Sequence, residues 1–314
     1  METKTTRLRF TTESMFDIMQ QLSRMLQDQE RVTIEVLNPD LFSGSYAGKI
    51  VHVKSSCYLY HSLRTWQDLA LALQTRMLVP LVSTPSTITL TFEKLQSHSF
   101  HTDKSEERSE KYGIHSAFAD INKNEEPAFL TAYVHALKLA NIETRQKVLN
   151  LGVNRGDEFA LIKMLLGEEN FHKKAFVGVD YAQSAIAHAK STFPFENIHF
   201  YQHDINTLDR LKLGKFDLII SIGTLQSPGI NYKPLLMKLI QEYLSEDGAI
   251  ILGFPNSRWI DGEMVYGAKM RNFRESDLSL VLSDIDFAKR YLQQKKFTVR
   301  ISGKEYIFLT ATRS

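Results

Sequence analysis

The fold is decided by one ten-residue stretch, Val148-Leu149-Asn150-Leu151-Gly152-Val153-Asn154-Arg155-Gly156-Asp157. It begins as an apolar strand and passes through a glycine-containing turn into a sequence with helical spacing. Glycine lets a backbone approach a ligand closely, and the free amides at a helix start favour a polar or anionic group. The stretch therefore predicts a strand–turn–helix unit that receives a ligand at its turn. A purely structural turn is the alternative interpretation.

The same alternation of strands and helices continues along the second half of the chain. The predicted strands are 148–151, 176–180, 198–203, 216–221 and 249–254, and the predicted helices lie near 157–166, 182–191 and 234–244. Apolar strands separated by helices predict a parallel sheet covered on both faces. A further helix near 283–296 precedes two strands, 297–302 and 305–312. The dipeptide Gly303-Lys304 between them fits a two-residue hairpin turn, so we expect these strands to be antiparallel.

The first half of the chain lacks this regular alternation of strands and helices. Predicted strands at 8–10, 31–37, 50–60 and 87–95 are mixed with helices that begin near Met15 and Trp66, and Ser14 and Asp17 form a capping-box-like start for the first helix. This predicts a small α+β domain over residues 1–96, with a role in substrate recognition or dimerisation. The polar stretch 97–111 is the predicted linker, and 112–314 the second domain.

Carboxylates follow two of the predicted parallel strands. Asp180 ends the second strand, where it can accept both hydroxyls of a ribose. Its alternative role is to cap the helix that follows. Asp204, in His203-Asp204-Ile205 at the end of the third strand, can accept from the exocyclic amine of an adenine. A surface turn acid is the alternative there.

These residues carry a resemblance to a known family. Residues 110–314 resemble the class I S-adenosylmethionine-dependent methyltransferases. The stretch 148–156 looks like their first motif, Asp180 like their ribose-binding acid, and 203–205 like their adenine-flanking turn. The strand 216–221, the turn 244–249 and the final hairpin are similar to the family's later elements. Nicotinamide-dinucleotide folds share the glycine turn and the acid, but that hairpin is not their usual ending.

The resemblance implies an α/β fold with a Rossmann-like seven-stranded sheet and S-adenosylmethionine as cofactor. It implies cofactor-binding roles for residues at the strand ends: Asn150, Gly152, Asn154, Gly156, Asp180, Tyr181, Asp204, Ile205, Ser221 and Ile222. The chain departs from the family pattern twice. Asn150 stands where an acid that binds the cofactor's ammonium is common, and Asn154 replaces the middle glycine. Asn tolerates positive φ, and Asp157 either compensates for the lost acid or interacts with the helix dipole.

The transfer site is expected after the fourth strand, and the segment 255–271 after the fifth strand is expected to cover it. The candidate substrate-binding residues are Gln226, Tyr232, Arg258, Trp259 and Tyr266. Arginine suits a carboxylate or phosphate, which predicts an anionic acceptor with Arg258 as its main contact. The alternative is a structural loop. A general base is not assigned; Tyr232, Tyr266 and His203 are candidates.

Composition narrows the function further. The 314 residues carry 38 Lys+Arg and 36 Asp+Glu, a net charge of +2, which disfavours a nucleic-acid partner without excluding it. The single cysteine, Cys57, and the scattered histidines predict no metal site. The absence of a long apolar stretch or an apolar leader predicts a cytoplasmic protein without membrane contact. A small-molecule acceptor is the main hypothesis. Protein or RNA methylation and a non-catalytic binding protein are the alternatives, and a homodimer stays open.

Overall fold

The computed structural model describes residues 8–96, 120–267 and 278–313. They form two compact units. The first contains residues 8–96 and Trp259–Val265, and the second contains the rest. The predicted linker 97–111 lies outside the described residues, so the predicted domain boundaries stay a prediction.

The first unit has a five-stranded sheet with two helices. Its elements are β1 (Leu8–Arg9), α1 (Met15–Asp28), β2 (Arg31–Leu37), β3 (Ile50–Val53), β4 (Ser56–Leu59), α2 (Leu63–Ala72), β5 (Thr75–Met77), β6 (Leu81–Thr84) and β7 (Thr87–Lys94). The sheet runs β1-β2-β7-β5, with β6 also paired to β7, while β3 and β4 form a separate hairpin. Ser14 caps α1 by accepting from the Asp17 amide, as expected.

A large apolar core holds this first unit together, and a smaller apolar cluster lies around Val51 and Tyr58. The buried stripe of α1 recurs every four residues at Ile18, Leu22 and Leu26, and it packs with Trp66 and the inward side chains of β2 and β7. Such burial is the main favourable term in folding. The small α+β domain expected from the sequence is confirmed, although the short strands β5 and β6 were not predicted.

The second unit alternates helices and strands. Its elements are α3 (Pro127–Leu139), β8 (Lys147–Leu151), α4 (Asp157–His172), β9 (Ala175–Asp180), α5 (Gln183–Thr192), β10 (Ile198–Gln202), β11 (Phe216–Ile222), α6 (Tyr232–Lys238), β12 (Leu244–Pro255), α7 (Ser279–Gln294), β15 (Thr298–Gly303) and β16 (Tyr306–Thr312). A two-stranded hairpin, β13 (Ser257–Ile260) and β14 (Glu263–Tyr266), follows β12. The tip of this hairpin is the segment that belongs to the first unit.

Seven strands form the central sheet in the order β10-β9-β8-β11-β12-β16-β15. The first five are parallel, and β16 runs antiparallel to both β12 and β15. Both predictions, the parallel sheet and its reversed ending, are confirmed. The chain moves from β8 outward to β10 and then returns to β11 on the other side of β8, so β8 and β11 lie at the switch point where ligands bind in open α/β sheets.

Two details differ from the sequence predictions. Gly303 pairs with Ile307, so the last connection is centred on Lys304 and Glu305 instead of on Gly303-Lys304. The segment 255–271, expected as a covering loop, contains the β13–β14 hairpin. Its two turn residues, Asp261 and Gly262, both have positive φ, as a tight two-residue hairpin turn requires. Residues 268–271, with Lys269 and Arg271 of the predicted segment, lie outside the described residues.

Candidate functional site

The candidate site lies at the carboxyl ends of the parallel strands. The glycine turn follows β8, Asp180 ends β9, Asp204 follows β10 and Ile222 ends β11. Neighbouring parallel strands end at the same edge, so the topology brings these four positions together.

The turn between β8 and α4 needs left-handed backbone at three alternate positions. Gly152, Asn154 and Gly156 have φ values of 74°, 45° and 90°. Asn154 thus adopts the conformation that the replaced glycine would have, because a short polar side chain tolerates it. Gly152 donates through its amide to the Val179 carbonyl at 2.8 Å, which fixes the start of the turn on β9.

Gly152 also faces the segment that follows β11. A Cβ atom built at Gly152 would lie 1.9 Å from Thr224 Oγ1 and 2.7 Å from Thr224 Cβ. No L side chain fits into this space without moving the Thr224 backbone. The absence of a side chain at Gly152 therefore allows the two loops at the switch point to lie against each other.

Asp180 connects the turn to the next helix. One carboxylate oxygen accepts from the Asn154 amide at 2.9 Å, and the other accepts from the Ala182 amide at 3.0 Å. Ala182 is the N-cap residue of α5, so the helix-capping alternative describes one half of this arrangement. The other half fixes the carboxylate at the glycine turn.

The residues after β9 and β10 differ in exposure. Tyr181 is 57% exposed, whereas Ile205 is buried. Asp204 is exposed, and its Oδ1 accepts from both the amide and the side-chain nitrogen of Asn206, each at 2.9 Å. Both of these hydrogen bonds use the same carboxylate oxygen.

The two candidates at the end of β11 are inside the sheet. Ser221 and Ile222 are both buried, and Ser221 Oγ donates to the Leu151 carbonyl at 3.2 Å. The Ser221 side chain therefore joins β11 to β8 at the switch point. It stabilises the carboxyl edge of the sheet and does not point into the candidate site.

Asn150 has a partner that the sequence did not indicate. Asn150 Nδ2 donates to Glu158 Oε2 at 3.2 Å, and Asn150 Oδ1 has no partner among the residues that the structure describes. Burial raises the pKa of Glu158 to about 7, and the Lys123 cation works against that rise. Asp157, the compensating acid suggested by the sequence, is instead paired with Arg155 at 3.3 Å.

The candidate substrate residues are mostly engaged in the fold. Arg258 is 7% exposed, and its Nη1 donates to the Gly267 carbonyl at 2.8 Å and the Tyr266 carbonyl at 3.4 Å. Burial lowers the pKa of Arg258. Tyr232 donates through its hydroxyl to the Asp284 carbonyl at 3.0 Å. Trp259 and Tyr266 are half-buried in β13 and β14. Among these five candidates, only Gln226 has a buried side-chain oxygen without a partner in the described residues.

None of the three candidate general bases has surroundings that would favour proton abstraction from an acceptor. His203 Nε2 lies 2.9 Å from the Thr207 carbonyl, and burial raises the pKa of Tyr232. Tyr266 is half-buried in the hairpin. A phenol whose pKa is raised stays protonated at neutral pH and therefore has no phenolate available to accept a proton. The geometry therefore leaves the general base unassigned, as the sequence did.

The sequence matches a family profile described as "Methyltransferase domain" over residues 142–299. The match spans half of the chain and contains the glycine turn and every strand-end residue named above. The chain belongs to this methyltransferase family. The fold and enzyme class expected from the resemblance are thereby confirmed, and the cofactor of this methyltransferase is S-adenosylmethionine.

Several solved structures are similar to part of this chain. Three of them are magnesium protoporphyrin IX methyltransferase from Synechocystis PCC 6803 with bound S-adenosylmethionine (16% identity, 68% of this chain, 100% of that chain, TM-score 0.42), the plantazolicin methyltransferase BpumL with S-adenosylhomocysteine (15%, 66%, 94%, 0.45), and a ribosomal protein L11 methylase from Lactobacillus delbrueckii subsp. bulgaricus (18%, 58%, 76%, 0.38). Identities this low say nothing about the acceptor. No curated protein sequence is matched.

The residues of this methyltransferase fit its cofactor. Asn150 Oδ1, which has no partner among the described residues, offers an acceptor, and the Asp180 carboxylate is fixed at the glycine turn. In the described part of the chain, no group of three His, Cys, Asp or Glu side chains could hold a metal ion, and no helix is long and apolar enough to cross a bilayer.

Proposed function

We propose that this methyltransferase acts on a small-molecule acceptor that presents hydrogen-bond donors. The observation that supports it is a set of buried side-chain oxygens at the ends of β11, β12 and the β15–β16 connection. Gln226 Oε1, Asn256 Oδ1 and Glu305 Oε2 have no hydrogen-bond partner among the described residues. Buried acceptors are normally satisfied, so a donor on a ligand is the natural partner for such a set.

The neighbourhood of Asn256 fixes two of these oxygens. The Asn256 amide donates to the Glu305 carbonyl, and its side-chain nitrogen donates to the Lys304 carbonyl, both at 2.9 Å. Because the side-chain nitrogen is engaged there, the amide cannot turn round, and Oδ1 keeps its direction. The other Glu305 oxygen pairs with Lys304 at 2.9 Å.

The same set argues against an anionic acceptor. A carboxylate or phosphate would meet oxygen atoms, which repel it, and Arg258 already donates to main-chain carbonyls. Arg258 is therefore proposed to stabilise the hairpin and not to select an anionic acceptor. Polyanionic RNA is disfavoured for the same reason, since its phosphates require clustered Lys and Arg.

Several residues are proposed to hold the cofactor. Asp180 would accept from the ribose hydroxyls, and Asp204 would accept from the adenine amine. When bound, S-adenosylmethionine supplies a methyl group on a positively charged sulfur. The chain's own contribution is orientation and exclusion of water, because good positioning supplies about 7–11 kcal/mol of such a barrier.

A labelling experiment tests the acceptor class. The protein is incubated with S-adenosylmethionine carrying a radioactive methyl group and a cell extract divided into small-molecule, protein and RNA fractions. We expect the label in the small-molecule fraction, resistant to protease and ribonuclease, and lost with the Asp180→Asn variant. Label that appears only in protein or RNA would overturn the small-molecule proposal. Label restricted to an acidic small molecule would contradict the proposal that the acceptor presents hydrogen-bond donors.

A further inference from the structure

Asn150 and Glu158 form a buried polar pair that flanks the glycine turn. Asn150 lies two residues before Gly152 and is 1% exposed, and Glu158 lies two residues after Gly156 and is 8% exposed. Their 3.2 Å hydrogen bond orients the amide, because Nδ2 has to face the carboxylate. Asn150 Oδ1 is consequently directed elsewhere, and within the described residues it meets no donor.

Three titratable groups interact with the Glu158 carboxylate, and a fourth faces one of them. Lys123 stabilises the ionised form, Asp157 opposes it, and the charge of Glu158 acts on the buried Tyr133 of α3. Tyr306 of β16 faces Lys123, whose Nζ lies 5.1 Å from its ring centre. These groups come from α3, α4, β16 and the short turn Lys123–Glu125.

The turn Lys123–Glu125 is held against the glycine turn. Asn124 Nδ2 donates to the Asp157 carbonyl at 2.9 Å, and Arg155 Nη2 donates to the Ile121 carbonyl at 3.1 Å. Glu158 is thus enclosed by protein and has little access to bulk water, which makes its negative charge costly.

Lys123 does not offset the burial of Glu158, whose pKa stays raised to about 7. A second group that is both cationic and a hydrogen-bond donor therefore suits the buried carboxylate and the unpaired amide oxygen beside it. The cofactor has two cations, its sulfonium and its ammonium. A sulfonium has no hydrogen to donate, whereas an ammonium has three. The ammonium at the amino-acid end of the cofactor therefore matches both members of the pair.

We propose that Glu158 and Asn150 together bind the ammonium group of S-adenosylmethionine, with Glu158 as the counter-charge and Asn150 Oδ1 as a neutral acceptor. The proposal rests on the cofactor assignment made above. It replaces Asp157 as the compensating acid, because the Asp157 carboxylate is paired with Arg155.

The pair gives binding a pH dependence with a defined sign. A cation placed beside Glu158 favours its ionised form, so cofactor binding lowers a pKa that stands at about 7 in the free protein. Binding between pH 6 and 7 then releases a proton from Glu158, and affinity falls as the pH falls through this range. An α-amino group, with a pKa of about 7.7–8.0, remains largely protonated there.

Calorimetry separates this role from a structural one. S-adenosylhomocysteine is titrated into the wild-type protein, Glu158→Gln and Asp157→Asn at pH 6.5, in two buffers with different ionisation enthalpies, so that proton release is measured with affinity. We expect Glu158→Gln to bind at least tenfold more weakly and to release no proton. Asp157→Asn serves as the neighbouring-acid control and should match wild type.

A second ligand makes the result specific to the ammonium. 5′-Methylthioadenosine has the nucleoside and the thioether but no amino-acid end, so its affinity should be equal for wild type and Glu158→Gln. Equal binding of S-adenosylhomocysteine by both proteins would overturn the proposal. Equal losses for both ligands would also overturn it, because Glu158 would then only support the fold. Failure of the wild-type protein to bind either ligand would instead contradict the cofactor assignment.

Discussion

Asp180 Oδ2 accepts a hydrogen bond from the main-chain amide of Asn154 at 2.9 Å, across the gap between β9 and the glycine turn. Asn154 holds a left-handed conformation with a φ of 45°, which directs its amide towards β9. The carboxylate is thus fixed before any ligand arrives. Such preorganisation reduces the ordering cost of binding, and the interaction joins two residues that are 26 positions apart.

Replacing Asp180 by alanine should weaken S-adenosylhomocysteine binding by tenfold or more. In the proposed complex the ribose hydroxyls would lose a charged acceptor, which is worth about 1.5–3 kcal/mol, and the glycine turn would lose its hydrogen bond to Asp180 at the end of β9. Calorimetry gives the dissociation constant, and circular dichroism checks that the variant is folded.

Asp217 provides the matched control for Asp180. It lies at the opposite end of the sheet, where its two carboxylate oxygens accept from the amides of Gln146 and Lys147 at 2.6 and 2.8 Å. Asp217→Ala should reduce stability in the same way but leave the dissociation constant unchanged. If both variants lose affinity equally, Asp180 acts only through stability.

The contact between Gly152 and Thr224 predicts a coupled pair of substitutions. Gly152→Ala introduces a methyl group 1.9 Å from Thr224 Oγ1, and left-handed backbone costs an L residue a further 1–2 kcal/mol or so. Thr224→Gly should recover the steric part in the double variant, with a coupling of about 0.5–3 kcal/mol in chemical unfolding.

Gly167→Ala is the control for this pair. Gly167 has a φ of 73°, nearly the same as Gly152, but a built Cβ has no heavy atom within 4 Å. It should show the backbone cost alone and no coupling to Thr224→Gly. If the unfolding free-energy changes of Gly152→Ala and Thr224→Gly were strictly additive, the close contact between these two residues would be contradicted.

The sheet could be predicted from the sequence because its signals are local. Each parallel strand is a continuous apolar run, and Asp180 and Asp204 follow such runs directly, so their positions at one edge follow from topology. The Asp-Gly pair at 261–262 is an equally local hairpin signal, and with it β13 and β14 could have been predicted.

The role of Glu158 could not be predicted in this way. Its spacing from Asn150 crosses from a strand into a helix, and no periodicity describes the contact between them. The buried state of Arg258 also depends on tertiary structure, because the carbonyls of Tyr266 and Gly267 reach it only after the hairpin folds. In both cases a charged residue that would ordinarily be exposed is buried by distant elements.

Arg258→Ala should reduce stability and leave cofactor affinity unchanged. The substitution leaves the buried carbonyls of Gly267 and Tyr266 without this donor, and hydrogen bonds to charged groups contribute about 1.5–3 kcal/mol. Chemical unfolding measures the loss, and calorimetry with S-adenosylhomocysteine should give a dissociation constant within twofold of wild type. Arg300→Ala, at an exposed position on β15, should change the unfolding free energy by less than about 0.5 kcal/mol. Similar losses for both variants would argue against a structural role for Arg258.

Glu158 should make the ligand-free protein less stable as the pH rises. Burial raises its pKa from 4.5 to about 7 in the folded protein, so between these values the folded state binds a proton that the unfolded state does not. The stability from this group is complete below about pH 4.5 and is lost as the pH rises through 7. One pKa unit corresponds to about 1.4 kcal/mol, which puts the loss at roughly 3 kcal/mol.

Glu158→Gln removes this proton exchange while keeping a side chain that accepts from Asn150 Nδ2. The ligand-free variant should therefore be more stable than wild type at pH 8, by up to roughly 3 kcal/mol in urea unfolding, and the difference should shrink as the pH is lowered to 5. Glu196→Gln, at an exposed position before β10, should show no such trend. Stability that is independent of pH in wild type would mean that the Glu158 carboxyl titrates as in water. If Glu158 binds the cofactor, Glu158→Gln should be more stable at pH 8 and should also bind S-adenosylhomocysteine more weakly. Stability would then favour glutamine at this position, whereas ligand binding would favour glutamate.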